Sequence, residues 1–153
     1  MTKEEKAKAF FKEGYNCAQA VCLAFADDVT MDKDTVVKLT SSFGGGMGGL
    51  REVCGAVSGM FMVTGMLHGY TDPGDHRAKT HHYRRIQKLA RRFKELHGSI
   101  ICRDLLGLTQ PSDHPLPELR TADYYQKRPC VGLVGDAARI LEDMIERDKQ
   151  DIA

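Results

Sequence analysis

The cysteines are the residues of this chain best suited to chemistry, because a thiolate is both a nucleophile and a ligand for metals. The 153 residues include five cysteines, and no two have the Cys-x-x-Cys spacing of a local redox pair or zinc motif. Four are widely separated in the sequence: Cys17, Cys54, Cys102 and Cys130. If these four act together, the fold has to bring them to one place.

Each of these four cysteines lies in the first turn of a predicted helix. The residues ahead of them suit helix starts: Asn16, the glycine-rich segment 43–49, Ser99 and Pro129. A helix N-terminus carries unpaired N–H groups and about half a positive charge, which favours a thiolate over a thiol. Helix starts that meet at one end of a bundle would therefore present several reactive sulfurs to one point.

The fifth cysteine, Cys22, is assigned to core packing. It follows Cys17 by five positions, which places it about 140° further round the same helix. Cysteine is among the residue types most often buried, so packing is also the alternative interpretation for the other four cysteines.

A glycine-rich segment, Phe43-Gly-Gly-Gly-Met-Gly-Gly49, lies shortly before Cys54. Each glycine costs a helix about 1 kcal/mol relative to alanine, so the segment predicts a loop that allows unusual backbone angles and close approach to something bound. The candidate cofactor-binding glycines are Gly46, Gly48, Gly49, Gly55 and Gly59. The pattern Gly-x-Gly-x-x-Gly occurs in this loop, but without a preceding strand it does not indicate dinucleotide binding.

Apolar residues recur at helical spacing through the chain, and strand-like alternation is nearly absent. The pattern predicts helices over residues 3–13, 17–26, 32–41, 51–68, 75–97, 100–106, 121–126 and 129–147, with an irregular proline-containing loop over 107–121. The long helix 75–97 has an inner stripe of His82, Ile86, Leu89, Phe93 and Leu96. We expect an all-α fold, a compact bundle of five to seven helices with a glycine-rich loop, in one domain over residues 1–153.

Charge and hydropathy argue against two classes of function. Lys and Arg total 22 and Asp and Glu total 21, so the chain lacks the excess positive charge of a general nucleic-acid binder. The longest apolar run, Val53 to Leu67, is shorter than the roughly 20 residues of a membrane-spanning helix. The first residues are charged and have no apolar signal core. We therefore expect a cytoplasmic protein that binds neither nucleic acid nor a membrane.

The motifs around the four cysteines resemble those of a known family. They are Cys54-Gly-Ala-Val-Ser-Gly59, which fits Cys-Gly-Ala-x-x-Gly, with Asn16-Cys17, Cys102-Arg-Asp-Leu-Leu-Gly107 and Pro129-Cys130. Over about residues 10–140 the chain resembles the C_GCAxxG_C_C family, whose members are described as redox-active. The resemblance maps the family's four cysteines onto the four named above and leaves Cys22 as an additional one.

The resemblance implies two kinds of chemistry. Some relatives carry selenocysteine, which favours thiol chemistry at one position. Related domains occur in cytochromes with a non-haem iron centre, which favours a metal site. No Cys-x-x-Cys-His motif for covalent haem attachment is present.

Three hypotheses follow, of which we favour the first. It is a redox-active thiol site with disulfide or persulfide chemistry, in which Cys54 is the central thiolate and the other three cysteines are co-ligands or resolving thiols. The second is a metal site, in which the same four cysteines hold zinc or an iron–sulfur cluster. The third is a non-enzymatic helical interaction module, for example a homodimer, in which the cysteines only pack. The first two imply a redox partner whose identity the sequence does not give.

Overall fold

The computed structural model describes residues 1–108 and 115–152. Its helices are α1 Lys3–Lys12, α2 Cys17–Ala24, α3 Lys33–Thr40, α4 Gly44–Met47, α5 Gly55–His68, α6 His76–His97, α7 Cys102–Leu105, α8 Ala122–Lys127 and α9 Cys130–Ile152. A 3₁₀ turn, Ser41–Phe43, joins α3 to α4. The predicted all-α class is confirmed. Leaving out α4, which is a single turn, the described ranges contain eight helices. The predicted count of five to seven is therefore slightly low.

Local sequence explains where several helices begin and end. Asn16 caps α2 by accepting a hydrogen bond from the N–H of Gln19 at 2.9 Å, and the Gln19 side chain accepts from the N–H of Asn16 at 3.0 Å. Helix α5 begins at Gly55 rather than at residue 51, because Val53 pairs with Ile101 in an isolated antiparallel bridge. Helix α9 continues past residue 147 to Ile152, since residues 148–152 contain no glycine or proline. Of the predicted loop 107–121, residues 109–114 lie outside the described residues.

The core lies between α2, α5 and α9, with α1 and α6 packed around them. Helices α2 and α5 approach closely at Gly59. A Cβ atom at Gly59 would lie 2.9 Å from the Ala18 carbonyl oxygen and 3.1 Å from the Val21 Cβ, so a larger residue would push the two helices apart. None of the helices in the described residues is both long and apolar enough to cross a membrane.

Helix α6 buries part of its predicted stripe. Leu89 and Phe93 are fully buried, as expected, whereas Leu96 is 53% exposed. The prediction for Leu96 is wrong because the contact with α9 at this end of α6 is made by the next residue, His97. The His97 Nε2 lies 2.9 Å from a carboxylate oxygen of Asp136 on α9.

Candidate active site

A short backbone bridge brings two of the four cysteines together. It pairs Val53, just before α5, with Ile101, just before α7. The N–H groups of Cys54 and Cys102 each donate across this bridge, at 2.8 and 2.6 Å respectively. Because each cysteine is the residue after a bridged one, the starts of α5 and α7 are held side by side.

The other two cysteines are the first residues of α2 and α9. The start of α2 lies directly against the start of α5, because Gly55 has no side chain between them. A Cβ atom at Gly55 would lie 3.0 Å from the Cys17 Cβ and 2.9 Å from the Phe43 carbonyl oxygen. Glycine at position 55 therefore allows Cys17 and Cys54 to approach each other.

The starts of α2, α5, α7 and α9 meet at one cavity of about 310 Å³. Four cysteines line it: Cys17, Cys54, Cys102 and Cys130. The glycine-rich loop forms a second part of the wall, and three arginines, Arg51, Arg120 and Arg128, form a third. All four cysteines are free thiols, three of them buried and Cys17 half-buried.

Cys130 differs from the other cysteines in its electrostatics. Its pKa is lowered from 9.0 to about 7, chiefly through its interaction with the side chain of Cys17. The side chain of Tyr124 and the positive charges of Arg128 and Arg120 lower the pKa further. Burial opposes these effects but does not outweigh them. Cys130 is therefore the cysteine of the cavity whose environment favours the thiolate.

The remaining three cysteines of the cavity stay protonated. The pKa of Cys17 is raised well above its usual value, first by its interaction with the side chain of Cys130 and then by the burial of its thiol. Burial raises the pKa of Cys54 to about 12, although the N–H groups of Val57 and Ala56 at the start of α5 lower it. Burial also raises the pKa of Cys102. The pKa lowering expected at every helix start is thus opposed by burial at Cys54 and Cys102, and at Cys17 by burial together with the interaction with Cys130.

The arginines and the tyrosine around Cys130 come from α8 and the segments beside it. Both Nη atoms of Arg120 donate to backbone carbonyls, those of Phe11 and Tyr15, at 3.0 Å each. Arg128 is paired with Glu118, with a shortest N–O distance of 2.7 Å. Sequence reasoning missed these residues. Two arginines could have been noticed from their place in the sequence: Arg128 lies two positions before Cys130, and Arg51, another arginine of the cavity wall, follows the glycine-rich segment. Nothing in the sequence points to Arg120 or Tyr124.

The sequence of the chain was compared with models of known protein families. The model described as "Putative redox-active protein (C_GCAxxG_C_C)" matches residues 15–144, which include the four cysteines of the cavity. The chain belongs to the C_GCAxxG_C_C family. The resemblance predicted from the four motifs is therefore confirmed. Neither a curated protein nor a solved structure matched the chain.

In this C_GCAxxG_C_C protein the glycine-rich segment 43–49, predicted as a loop, contains the single turn α4, but most of its glycines have a left-handed backbone that does not continue a helix. The φ angles of Gly45 and Gly46 are +64° and +70°, and those of Gly48 and Gly49 are +60° and +83°. Residues other than glycine rarely adopt such angles. The predicted cofactor-binding residues Gly46, Gly48, Gly49 and Gly55 line the cavity, whereas Gly59 does not, since it lies at the contact between α2 and α5.

Cys22 lies apart from the cavity. It is fully buried in the core, and its thiol donates to the Gly59 carbonyl oxygen at 3.4 Å. Burial raises its pKa to about 12, so it is inert at neutral pH. We expect Cys22→Ala to leave thiol reactivity at neutral pH unchanged while costing about 1 kcal/mol of unfolding free energy through lost packing. Alkylation kinetics and denaturant titration measure the two effects, and a loss of reactivity would contradict the packing role.

A metal site at the four cysteines of this family member would need their side chains to be grouped as ligands. Zinc and iron–sulfur clusters require several thiolates directed at a common centre. In residues 1–108 and 115–152, no three or more His, Cys, Asp or Glu side chains are grouped so that they could hold one metal ion. The described side chains therefore do not fit a ready ligand shell.

Proposed function

We propose that the chain is a thiol-dependent redox protein, in which Cys130 is the nucleophile and Cys17 is its partner in a reversible disulfide. The observation that carries this proposal is that Cys17 and Cys130, the first residues of α2 and α9, line the same cavity, where the interaction between their side chains lowers the pKa of Cys130 and raises that of Cys17. A thiolate beside a second thiol is the arrangement that thiol–disulfide exchange requires. The redox activity described for the family supports the same reaction class.

The chemistry takes two steps. The Cys130 thiolate attacks one sulfur of a disulfide R–S–S–R, so that a Cys130–S–S–R bond forms and RS⁻ leaves. Cys17 then loses its proton to a departing thiolate and attacks the Cys130 sulfur, which forms a Cys17–Cys130 disulfide and releases the second RS⁻. The two cysteines together give up two electrons, and the disulfide is reduced to two thiols.

Tyr124 and the arginines support the first step. The Tyr124 hydroxyl is held in its neutral, donating form, because burial and the neighbouring Cys130 charge raise the pKa of Tyr124. Arg120 lies with its guanidinium carbon 5.0 Å from the centre of the Tyr124 ring and 4.0 Å from that of Phe11. Its fixed positive charge stabilises the Cys130 thiolate without approaching the sulfur as a proton donor.

The pairing of cysteines gives a direct test. Treating the reduced protein with one equivalent of hydroxyethyl disulfide is expected to produce a Cys17–Cys130 disulfide while Cys22 stays reduced. Differential alkylation followed by peptide mass spectrometry measures which cysteines are joined. Cys22→Ala is the matched control and is expected to give the same disulfide. Oxidation that leaves Cys17 and Cys130 reduced would overturn the proposal.

The two other hypotheses predict different results. A metal protein would contain near-stoichiometric zinc or iron when purified without oxygen or chelators, and would lose it on substitution of any of the four cysteines. An interaction module would lose only stability on those substitutions. Elemental analysis and alkylation kinetics of the same preparation distinguish both from a thiol site, and metal at one equivalent per chain would count against the thiol mechanism.

A further inference from the structure

The charge of the cavity wall is unbalanced in favour of positive groups. Three arginines line it, and among the lining residues that the structure describes Glu118, which is paired with Arg128, is the one carboxylate. Arg120 uses both of its Nη atoms on backbone carbonyls. The third arginine, Arg51, is left with most of its hydrogen-bonding capacity.

Arg51 has few partners within the protein. Its Nη1 donates a hydrogen bond to the Cys102 Sγ at 3.6 Å, and a thiol sulfur is a weak acceptor. In the part of the chain that the structure describes, no carboxylate lies within ion-pair distance of its guanidinium. The guanidinium lies against the glycine loop at the cavity wall, where a Cβ atom at Gly45 would be in van der Waals contact with the Arg51 Nη1 at 3.8 Å. A guanidinium in this state can bind a ligand carboxylate through two parallel hydrogen bonds.

We propose that the cavity binds a small disulfide whose substituents carry carboxylates, with Arg51 as the residue that recognises the carboxylate. This inference rests on the proposed thiol–disulfide function and adds the class of substrate. The volume of about 310 Å³ is at the lower end of the range for small-molecule sites, so it suits a low-molecular-weight disulfide. The sulfurs of such a ligand lie against Cys130, where the first exchange step occurs.

The reaction on this substrate balances without any further reagent. The Cys130 thiolate displaces one carboxylate-bearing thiolate, and Cys17 displaces the other as the protein disulfide forms. One molecule of reduced protein therefore releases two carboxylate-bearing thiols, and the measurement needs a single turnover only.

Three disulfides that differ in charge test the role of Arg51. They are dithiodipropionate, with two carboxylates, hydroxyethyl disulfide, which is neutral, and cystamine, with two ammonium groups. Each rate of thiol release is compared between the native chain and Arg51→Gln. We expect Arg51→Gln to slow the reaction with dithiodipropionate roughly tenfold or more, because it removes a charged hydrogen bond. The rates with the other two disulfides are expected to change little.

A second measurement separates ligand binding from thiol chemistry. Suberate has the length and carboxylates of dithiodipropionate but no sulfur, so its calorimetric binding does not depend on the cysteines. We expect the native chain to bind suberate and Arg51→Gln to bind it at least tenfold more weakly. Arg91→Gln, on the exposed face of α6, is the matched control and is expected to change neither rates nor binding.

The outcomes distinguish failure of the proposed carboxylate-bearing substrate from failure of the proposed thiol–disulfide function. If the native chain reduces the three disulfides but Arg51→Gln affects all of them equally or none of them, the substrate class is wrong and the thiol function stands. If the native chain binds suberate through Arg51 but reduces no disulfide, the anion site stands and the proposed function is wrong. If suberate does not bind at all, the carboxylate site is overturned.

Discussion

Replacing Cys130 with serine is expected to remove the one cysteine of the cavity that reacts rapidly at neutral pH. A thiol is unreactive when protonated, so the alkylation rate of the native chain should rise as the pH passes through about 7 and level off above it. In Cys130→Ser, burial still raises the pKa values of Cys54 and Cys102. Cys17 loses the contribution of Cys130 but gains no group that lowers its pKa, so the rate should climb only in the alkaline range. At pH 7 we expect roughly a tenfold loss or more. Iodoacetamide alkylation as a function of pH measures this directly.

Two variants of Cys17 provide the control for this prediction. A serine hydroxyl can still donate a hydrogen bond to the Cys130 sulfur, whereas an alanine cannot. Cys17→Ser should therefore keep a pH midpoint near that of the native chain, and Cys17→Ala should move it upward. Both should fail to form the disulfide. Rapid alkylation of Cys130→Ser at pH 7 would show that another cysteine carries the thiolate.

Gly46→Ala is expected to destabilise the protein by about 3 kcal/mol. The left-handed backbone at Gly46, with φ +70°, costs a residue with a side chain about 1–2 kcal/mol. The new Cβ would also lie 2.7 Å from both the Arg51 Cα and the Cys102 Cβ, and overpacking of this kind costs about 1–3 kcal/mol. Urea denaturation measures the change in the free energy of unfolding.

Gly98→Ala is the matched control for Gly46→Ala. Gly98 ends α6 with φ +84°, and a Cβ atom there would have nothing within 4 Å. Its substitution should therefore cost only the backbone strain of about 1–2 kcal/mol. The excess loss in Gly46→Ala reports the crowding at the cavity wall. Equal losses in the two variants would mean that the wall can relax around the added methyl group.

Much of the helical framework could be predicted from local sequence. Asn16 and Pro129 mark the starts of α2 and α9 by their own chemistry, and the apolar spacing of residues 55–68 predicts a buried helix. These signals involve only a few neighbouring residues, so they can be recognised in the sequence without knowledge of the fold. They were also enough to place each cysteine near a helix start.

The electrostatic differences among the cysteines could not be predicted in this way. The N-terminal position of Cys54 predicts a lowered pKa, but burial, which depends on the whole fold, raises it. The lowered pKa of Cys130 comes first from Cys17, which lies far away in the sequence, and then from Tyr124 and two arginines, of which only Arg128 is a close neighbour of Cys130 in the sequence. The bridge also joins residues far apart in the sequence, Val53 and Ile101, and no strand-like pattern in the sequence predicts it. Contacts between distant segments set the chemistry of each sulfur.

The positions of Cys17 and Cys130 near opposite ends of the chain have a thermodynamic consequence. A covalent bond between them would close a loop of more than a hundred residues, which lowers the entropy of the unfolded chain by an amount worth on the order of 4 to 5 kcal/mol. By linkage, the folded protein must favour the oxidised pair by the same amount relative to the unfolded chain. Any change that makes the folded bundle favour the disulfide more strongly therefore lowers the reduction potential of the pair and increases the stability of the oxidised protein by the corresponding free energy.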